Sequence, residues 1–279
     1  MSRPELVISI QSQVVYGHVG NSAAVFPMQA VGMEVAPIPT VILSNTPNHP
    51  TLRGRAMPPD FFADLLLGAE ERGLPERAKY LVTGYIGSPE VALLTADFIE
   101  RAKAANPALI YLCDPVMGDT GTGLYVPESI AAIFRDRLLP LADLATPNQF
   151  ELAYLGGIEV AALADFEGLR ERLNVTEGAR IIGTGCVLAE TEAGMIESVI
   201  LGPEGISRHP ARHLPVALSG TGDLFTALVV AGLGRGRSLG RAVDEAQALT
   251  GMAIADAQAL GTLEVQIGGR SFREALLRD

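Results

Sequence analysis

Short apolar runs alternate along this chain with stretches of helical spacing, and that alternation restricts the fold more than any other feature. Leu6–Ile10, Val35–Leu43, Tyr80–Tyr85, Ala108–Cys113, Asp143–Ala145 and Arg180–Thr184 read as strands. Pro37 and Pro39 make the second of them irregular or an edge. Ser88-Pro89 opens a helix, with Ser as N-cap and Pro at the first position, and Val91, Leu94, Phe98 and Ala102 fall on one face of it. Ile130–Leu139, Phe225–Leu233 and Leu239–Ala259 read as further helices. Met195–Leu201 and Gly205–His209 fit a hairpin turning near Gly202-Pro203. Strand, helix, strand at this pace predicts an α/β fold, a mostly parallel sheet covered on both faces. No linker, repeat or low-complexity tract interrupts it, so residues 1–279 are expected to form one domain.

The composition excludes several functions. Hydrophobic residues make up 48% of the chain, enough for a large core, and the net charge of −11 argues against a nucleic-acid surface. An anionic ligand must then be held by local devices rather than by the overall field. The lysines are Lys79 and Lys103, which leaves few candidates for a Schiff base or a phosphate-loop lysine. Cys113 and Cys186 each lie in an apolar run and read as buried free thiols. No leader pattern follows Met1–Pro4, and no apolar stretch has membrane-span length. These features predict a soluble protein of the cytoplasm, without membrane or nucleic-acid partners. His18, His49, His209 and His213 lack zinc-ligand spacing. No G-x-S-x-G elbow and no G-x-x-x-x-G-K-[ST] loop is present.

In parallel sheets, ligands bind beyond the carboxyl ends of the strands. That rule selects Ser12, Asp114, Asp119, Glu151, Thr184 and the loop at Gly220. Gly220-Thr221-Gly222-Asp223 feeds straight into a buried apolar helix, so unpaired N–H groups point outward at its start, a ready seat for phosphate. Asp223 there is either a helix cap or a base that takes a proton from an attacking hydroxyl. Asp114 and Asp119, around the glycine run Gly118–Gly123, suit Mg²⁺ beside phosphate or a plain Asp-Pro turn and surface loop. The glycine run also fits a mobile flap. Asn148 and Glu151 are spaced either to hold a hydrated metal or to form a capping box. Ser12 fits a substrate ring contact or an ordinary turn.

Five blocks in order resemble the ribokinase-like kinases, and within them the pyridoxal kinases. They are Gln11–Asn21 with Phe26-Pro27-Met28; Ser44-Asn45 with Thr83-Gly84-Tyr85; Cys113–Asp119; Thr146–Glu151; and Gly220–Phe225. The resemblance implies a three-layer α/β/α sandwich and transfer of phosphate from ATP to the hydroxymethyl group of pyridoxal, pyridoxine or pyridoxamine. Asp223 would be the catalytic base, and Gly220, Thr221 and Gly222 an anion hole. Ser12, Thr46, Pro47 and Tyr85 would join Asp223 around the substrate. Asp114, Asn148, Glu151, Thr184, Val216 and Thr221 would line ATP. Mg²⁺ would sit at Asp114 and Glu151, and a monovalent cation, K⁺ or Na⁺, at Asp119, Thr146 and Thr184. A homodimer is implied as well.

One departure stands out. Pyridoxal kinases usually carry His-Thr after Ser44-Asn45, whereas Thr46-Pro47-Asn48-His49 follows here. Pro47 has neither hydroxyl nor amide donor, and Thr46 replaces the missing hydroxyl if the loop shifts by one residue. A hydroxymethylpyrimidine kinase of the same superfamily and a non-catalytic B6-binding protein are the alternatives.

Overall fold

The computed structural model describes residues 3–278; residues 1, 2 and 279 of the expected domain lie outside it. The strands are β1 (Leu6–Val14), β2 (Glu34–Leu43), β3 (Gly54–Ala56), β4 (Ala78–Thr83), β5 (Ile110–Cys113), β6 (Gly118–Asp119), β7 (Gly123–Leu124), β8 (Leu144–Ala145), β9 (Arg180–Cys186), β10 (Met195–Gly202) and β11 (Gly205–Arg212). The helices are α1 (Asn21–Ala30), α2 (Pro59–Glu71), α3 (Leu74–Arg77), α4 (Pro89–Ala105), α5 (Glu128–Ile133), α6 (Gln149–Gly156), α7 (Leu169–Arg172), α8 (Thr221–Gly234), α9 (Leu239–Leu260) and α10 (Arg270–Leu276).

Nine strands form one sheet in the order β11-β10-β9-β8-β5-β4-β1-β2-β3. Neighbours from β2 through β9 run parallel, while β3, β10 and β11 pair antiparallel. Alternate side chains face opposite layers, as the period of two requires. Leu6, Ile8, Ile10 and Leu81 pack on one side with Phe62 of α2, Phe98 of α4 and Phe134. Val7, Tyr80 and Val82 pack on the other with Met28 of α1, Leu228 of α8, Val243 of α9 and Phe272 of α10. Phe98 is completely buried, so its truncation to alanine costs about 3–5 kcal/mol.

The prolines of β2 have a simple explanation. Glu34 N–H donates to Glu5 O, so the amides of Glu34, Ala36 and Ile38, before the register shift in the pairing with β1, face β1. Pro37 and Pro39 fall on the outer side, which β3 covers only at Val41–Leu43. The predicted helix over 130–139 divides: α5 stops at Ile133, a π turn spans Phe134–Leu138 and a 3₁₀ turn carries Pro140. Proline lacks the donor that would continue the helix. The hairpin of β10 and β11 closes on Gly202 and Gly205, as the sequence predicts. Both cysteines are buried free thiols, pushed by that burial up to about 12. Among the described residues, no helix is long and apolar enough to cross a membrane.

Register brings the site together. Ile10 lies beside Thr83, Thr83 beside Cys113, Cys113 beside Ala145, and Ala145 beside Ile181. The residues that follow these positions therefore emerge at one level: Ser12, Gly84-Tyr85, Asp114, Thr146 and Thr184. Asp114 N donates to Thr83 O and Thr146 N to Cys113 O, which extends the ladder into the site.

Candidate active site

Helix α8 begins without a side-chain cap. Its N-cap is Gly220, with φ 86°, and no side-chain cap bond is made among the described residues. A Cβ on Gly220 would lie 2.0 Å from His18 O, so this close backbone crossing admits only glycine. The amides of Thr221, Gly222 and Asp223 occupy the first turn, where no intrahelical acceptor exists. Asp223 does not serve as the cap. Its Oδ1 is buried and has no hydrogen-bond partner among the described residues. Burial raises its pKa above the ordinary carboxylate value, and the Gly20 backbone N–H acts in the opposite direction. Leaving such an oxygen unpartnered costs about 1–3 kcal/mol, which a ligand hydroxyl would recover.

Ser12 is related to this carboxylate through Gly20, whose backbone N–H bonds Asp223. It is buried, and Gly20 packs so tightly that a Cβ there would lie 2.4 Å from Ser12 Oγ. Behind them is a buried polar network. Ser9 Oγ donates to Asn21 Oδ1 at 2.8 Å, Gln11 Nε2 to Ser9 Oγ at 2.8 Å and Asn21 Nδ2 to Gln11 O at 3.1 Å. The network fixes the start of α1, and hence Gly20, against β1. Tyr85 follows β4, half-buried, with its carbonyl accepting from Thr40 Oγ1 at 2.7 Å. Thr46 is completely buried, and its hydroxyl donates to Glu264 Oε2 at 3.4 Å, while Pro47 is exposed.

On the other side, Asp114 closes the end of β5. Its Oδ2 accepts from Thr226 Oγ1 at 3.1 Å, and Thr226 Oγ1 lies 2.9 Å from Thr146 Oγ1. A Cβ on Gly222 would sit 3.9 Å from Asp114 Oδ2, which places this carboxylate against the turn of α8. Burial raises the Asp114 pKa well above its ordinary value, and the charges of Glu151 and Asp223 add to it. Glu151, also buried, forms the capping box with Asn148. Asn148 N donates to Glu151 Oε2 at 2.8 Å and Glu151 N to Asn148 Oδ1 at 2.9 Å. Glu151 Oε1 also accepts from Met117 N at 2.9 Å. Burial outweighs these bonds and pushes Glu151 up to about 8. The box holds α6 in place, and both Glu151 oxygens accept from backbone amides, Oε1 from Met117 and Oε2 from Asn148.

The glycine run Gly118–Gly123 contains the small hairpin of β6 and β7, fastened by Asn148 Nδ2 to Gly118 O at 2.8 Å. Asp119 is exposed there, and its Oδ1 accepts from Gly121 N at 2.7 Å and Thr122 N at 2.9 Å. Thr146 is buried beneath, and Thr184 N donates to Pro147 O at 2.8 Å. No bond joins Asp119 to Thr146 or Thr184 among the described residues. Val216 lies half-buried in the segment leading to Gly220. Tyr125 overhangs the group, its phenol held above the ordinary range by partial burial and then by Glu151, Asp223, Asp114 and Asp119. Among the described residues, no three His, Cys, Asp or Glu side chains stand close enough together to hold a metal by themselves.

Residues 28–267 match the family model described as phosphomethylpyrimidine kinase. The chain is 39% identical over 231 residues to a pyridoxal kinase of Leifsonia xyli, covering 81% of this chain and 80% of that one. It is 37% identical over 272 residues to a pyridoxine/pyridoxal/pyridoxamine kinase of Bordetella avium, covering 96% and 91%. This chain belongs to the pyridoxal kinase family. The family fold is matched throughout. The pyridoxal kinase of Leishmania donovani, solved with ADP and ginkgotoxin, superposes with a TM-score of 0.87 at 28% identity over 98% of this chain and 95% of that one.

In this pyridoxal kinase family member, the site residues that escape a reading of the sequence include Gly20, Asn21, Tyr125, Thr226 and Glu264. A signal existed for Gly20, because two glycines, Gly17 and Gly20, close the segment after β1. Glu264 offers none, since its partner Thr46 is 218 positions away.

Proposed function

We propose that this chain transfers the terminal phosphoryl group of ATP to the hydroxymethyl group of pyridoxal, pyridoxine or pyridoxamine, giving the 5'-phosphate. One observation carries the reading: Asp223 Oδ1, buried and without a hydrogen-bond partner among the described residues, stands in the first turn of a helix whose amides are open to an anion. Its raised pKa makes Asp223 a stronger base than an ordinary carboxylate. Asp223 takes the proton of the substrate hydroxyl as that oxygen attacks. The Gly220, Thr221 and Gly222 amides, joined by that of Asp223 in the same turn, meet the negative charge on the moving phosphoryl group, where fixed donors contribute most. Ser12 and Tyr85 orient the ring. Related pyridoxal kinase structures from Leishmania donovani contain ADP with pyridoxine or pyridoxamine, which supports this pairing of nucleotide and vitamer.

Asp114 and Glu151 fit Mg²⁺ by donor chemistry, since both are hard oxygen ligands in a site where neighbouring carboxylates raise one another. When bound, the ion neutralises phosphate charge. Asn148, Val216, Thr184 and Thr221 line the nucleotide in this reading, and Asp119, Thr146 and Thr184 face a K⁺ or Na⁺. The lysines support pyridoxal as substrate rather than cofactor: Lys79 pairs with Glu5, and Lys103 donates to Asp143 Oδ2 at 2.8 Å, both away from the site. A homodimer in the cytoplasm completes the proposal, and the two buried free thiols support a reducing setting.

The family model's description favours a second reading, a hydroxymethylpyrimidine kinase. Side-by-side ADP release with pyridoxal and hydroxymethylpyrimidine separates the two, and preference for the pyrimidine rejects the first. Asp223→Asn is expected to fold normally and to lose about 10²-fold or more in kcat; unchanged turnover would remove the base from the mechanism.

A further inference from the structure

The segment that follows α9 carries a buried carboxylate outside the reacting group. Glu264 is 2% exposed. Its Oε2 accepts from Thr46 Oγ1 at 3.4 Å and stands 3.4 Å from His49 Nε2, a buried nitrogen with no hydrogen-bond partner among the described residues. Asn48 Nδ2 donates to Leu263 O at 3.3 Å, and the His49 ring meets Tyr16 edge-on with centroids 5.8 Å apart. Gly17 closes over the pair, and a Cβ there would lie 2.9 Å from Thr46 Cγ2. The same segment holds the turn into α8. Ser219 N donates to Leu263 O at 3.1 Å, and Val265 N donates back to Ser219 O at 3.1 Å. His18 Nδ1 lies 2.9 Å from Val265 O, and the His18 carbonyl is the atom that crowds Gly220. One segment thus joins the two: the Glu264 side chain holds the loop over 44–51, and the backbone of Leu263 and Val265 holds the turn that presents the transfer amides. A purely structural filler at this place would be apolar, because a buried carboxylate is costly unless its partners matter.

We propose that Glu264 is a positioning residue, a strut that couples the substrate-side loop 44–51 to the turn 218–222. Seating of the ring against that loop and alignment of the Thr221–Asp223 amides then become one event. Glu264 touches no reacting atom; its side chain acts through Thr46, beside His49, and its backbone segment through Ser219. The proposal also explains how a chain with Pro47 in place of a hydroxyl residue keeps this loop ordered: Thr46 is turned inward as an anchor. It rests on the kinase reading above.

The test uses the full chain and three variants, Glu264→Gln, Thr46→Val and Asn48→Ala. Amide hydrogen exchange is measured on the ligand-free proteins, and kcat and KM are measured for pyridoxal and for Mg·ATP. Glu264→Gln is expected to lose protection in 44–51 and in 218–224 together. It should also raise KM for pyridoxal and lower kcat, by about tenfold in kcat/KM or more, with KM for Mg·ATP within about twofold. Thr46→Val and Asn48→Ala should show the same paired loss in smaller measure, and they decide the matter if Glu264→Gln does not fold. Faster exchange confined to one of the two segments overturns the strut, as does an equal rise of both KM values. Exchange is read without substrate, so a wild-type chain that ignores pyridoxal rejects the kinase reading and leaves the strut to be judged by exchange.

Discussion

Replacing Gly220 with alanine probes the geometry on which phosphoryl transfer depends. Gly220 has φ 86°, a left-handed conformation that costs an alanine about 1–2 kcal/mol. The new Cβ would lie 2.0 Å from His18 O, a main-chain atom that no rotamer change can remove. Relief of such an overlap costs a further 1–3 kcal/mol or so. The expected loss of stability is about 2–5 kcal/mol, read as a lower urea midpoint with an unchanged slope. Relief also requires the turn or the His18 segment to move by about 1 Å, enough to lower kcat by about 10²-fold in the fraction that folds. Gly222→Ala is the internal control. The nearest atom to its new Cβ is Asp114 Oδ2 at 3.9 Å, an ordinary contact, and its φ is not left-handed. Its stability should rise by about 0.5–1 kcal/mol or stay level. Urea unfolding and coupled ADP release on the two variants supply the comparison. A Gly220→Ala protein as stable and as fast as the wild type would refute both the crossing at His18 and the transfer role of this turn.

Three further outcomes are expected. In metal- and nucleotide-free buffer, the folded chain holds the Glu151 proton up to about 8, against an ordinary value of 4.5, so unfolding releases protons and stability falls as pH rises between those limits. The interval corresponds to roughly 5 kcal/mol for this one group, and thermal melts should show Glu151→Gln with a flatter slope; identical slopes would mean that Glu151 titrates normally. Glu151→Ala should raise KM for Mg·ATP about tenfold or more while pyridoxal binding without nucleotide barely moves, and equal loss of both, by calorimetry, would make Glu151 a support of the fold alone. Cys113 and Cys186, buried and held near 12, should resist iodoacetamide at pH 8 until denaturant is added; rapid labelling by mass spectrometry would contradict their burial.

The parts of the molecule legible in the sequence are those whose cause is local. Runs such as Tyr80–Val82 announce parallel strands because both faces are buried, and Asp114 is visible as a carboxylate at the end of one. The pair Asn148 and Glu151 is readable from a spacing of three, and it forms the box that spacing allows. Helix α1 is hidden, because it starts at Gly20 with no side-chain cap and contains Pro27. Helix α2 had a readable stripe in Phe62, Leu66 and Ala69, all buried. The cap reading of Asp223 fails for a reason that no local pattern contains: the packing that buries its Oδ1 brings in Gly20 from the far end of the chain. Thr46 and Glu264 meet only because the sheet places their loops at the same end.

The turn bearing Gly220 rests on residues 263–265, and the stretch around His18, made among the earliest of the chain, rests there too. During synthesis the sheet strands emerge first, and Ser219 gains its two backbone partners only when Leu263 and Val265 have emerged. A nascent copy interrupted before then would own the sheet, Asp114 and Glu151, with the turn at Gly220 still lacking the backbone bonds of Ser219 to Leu263 and Val265.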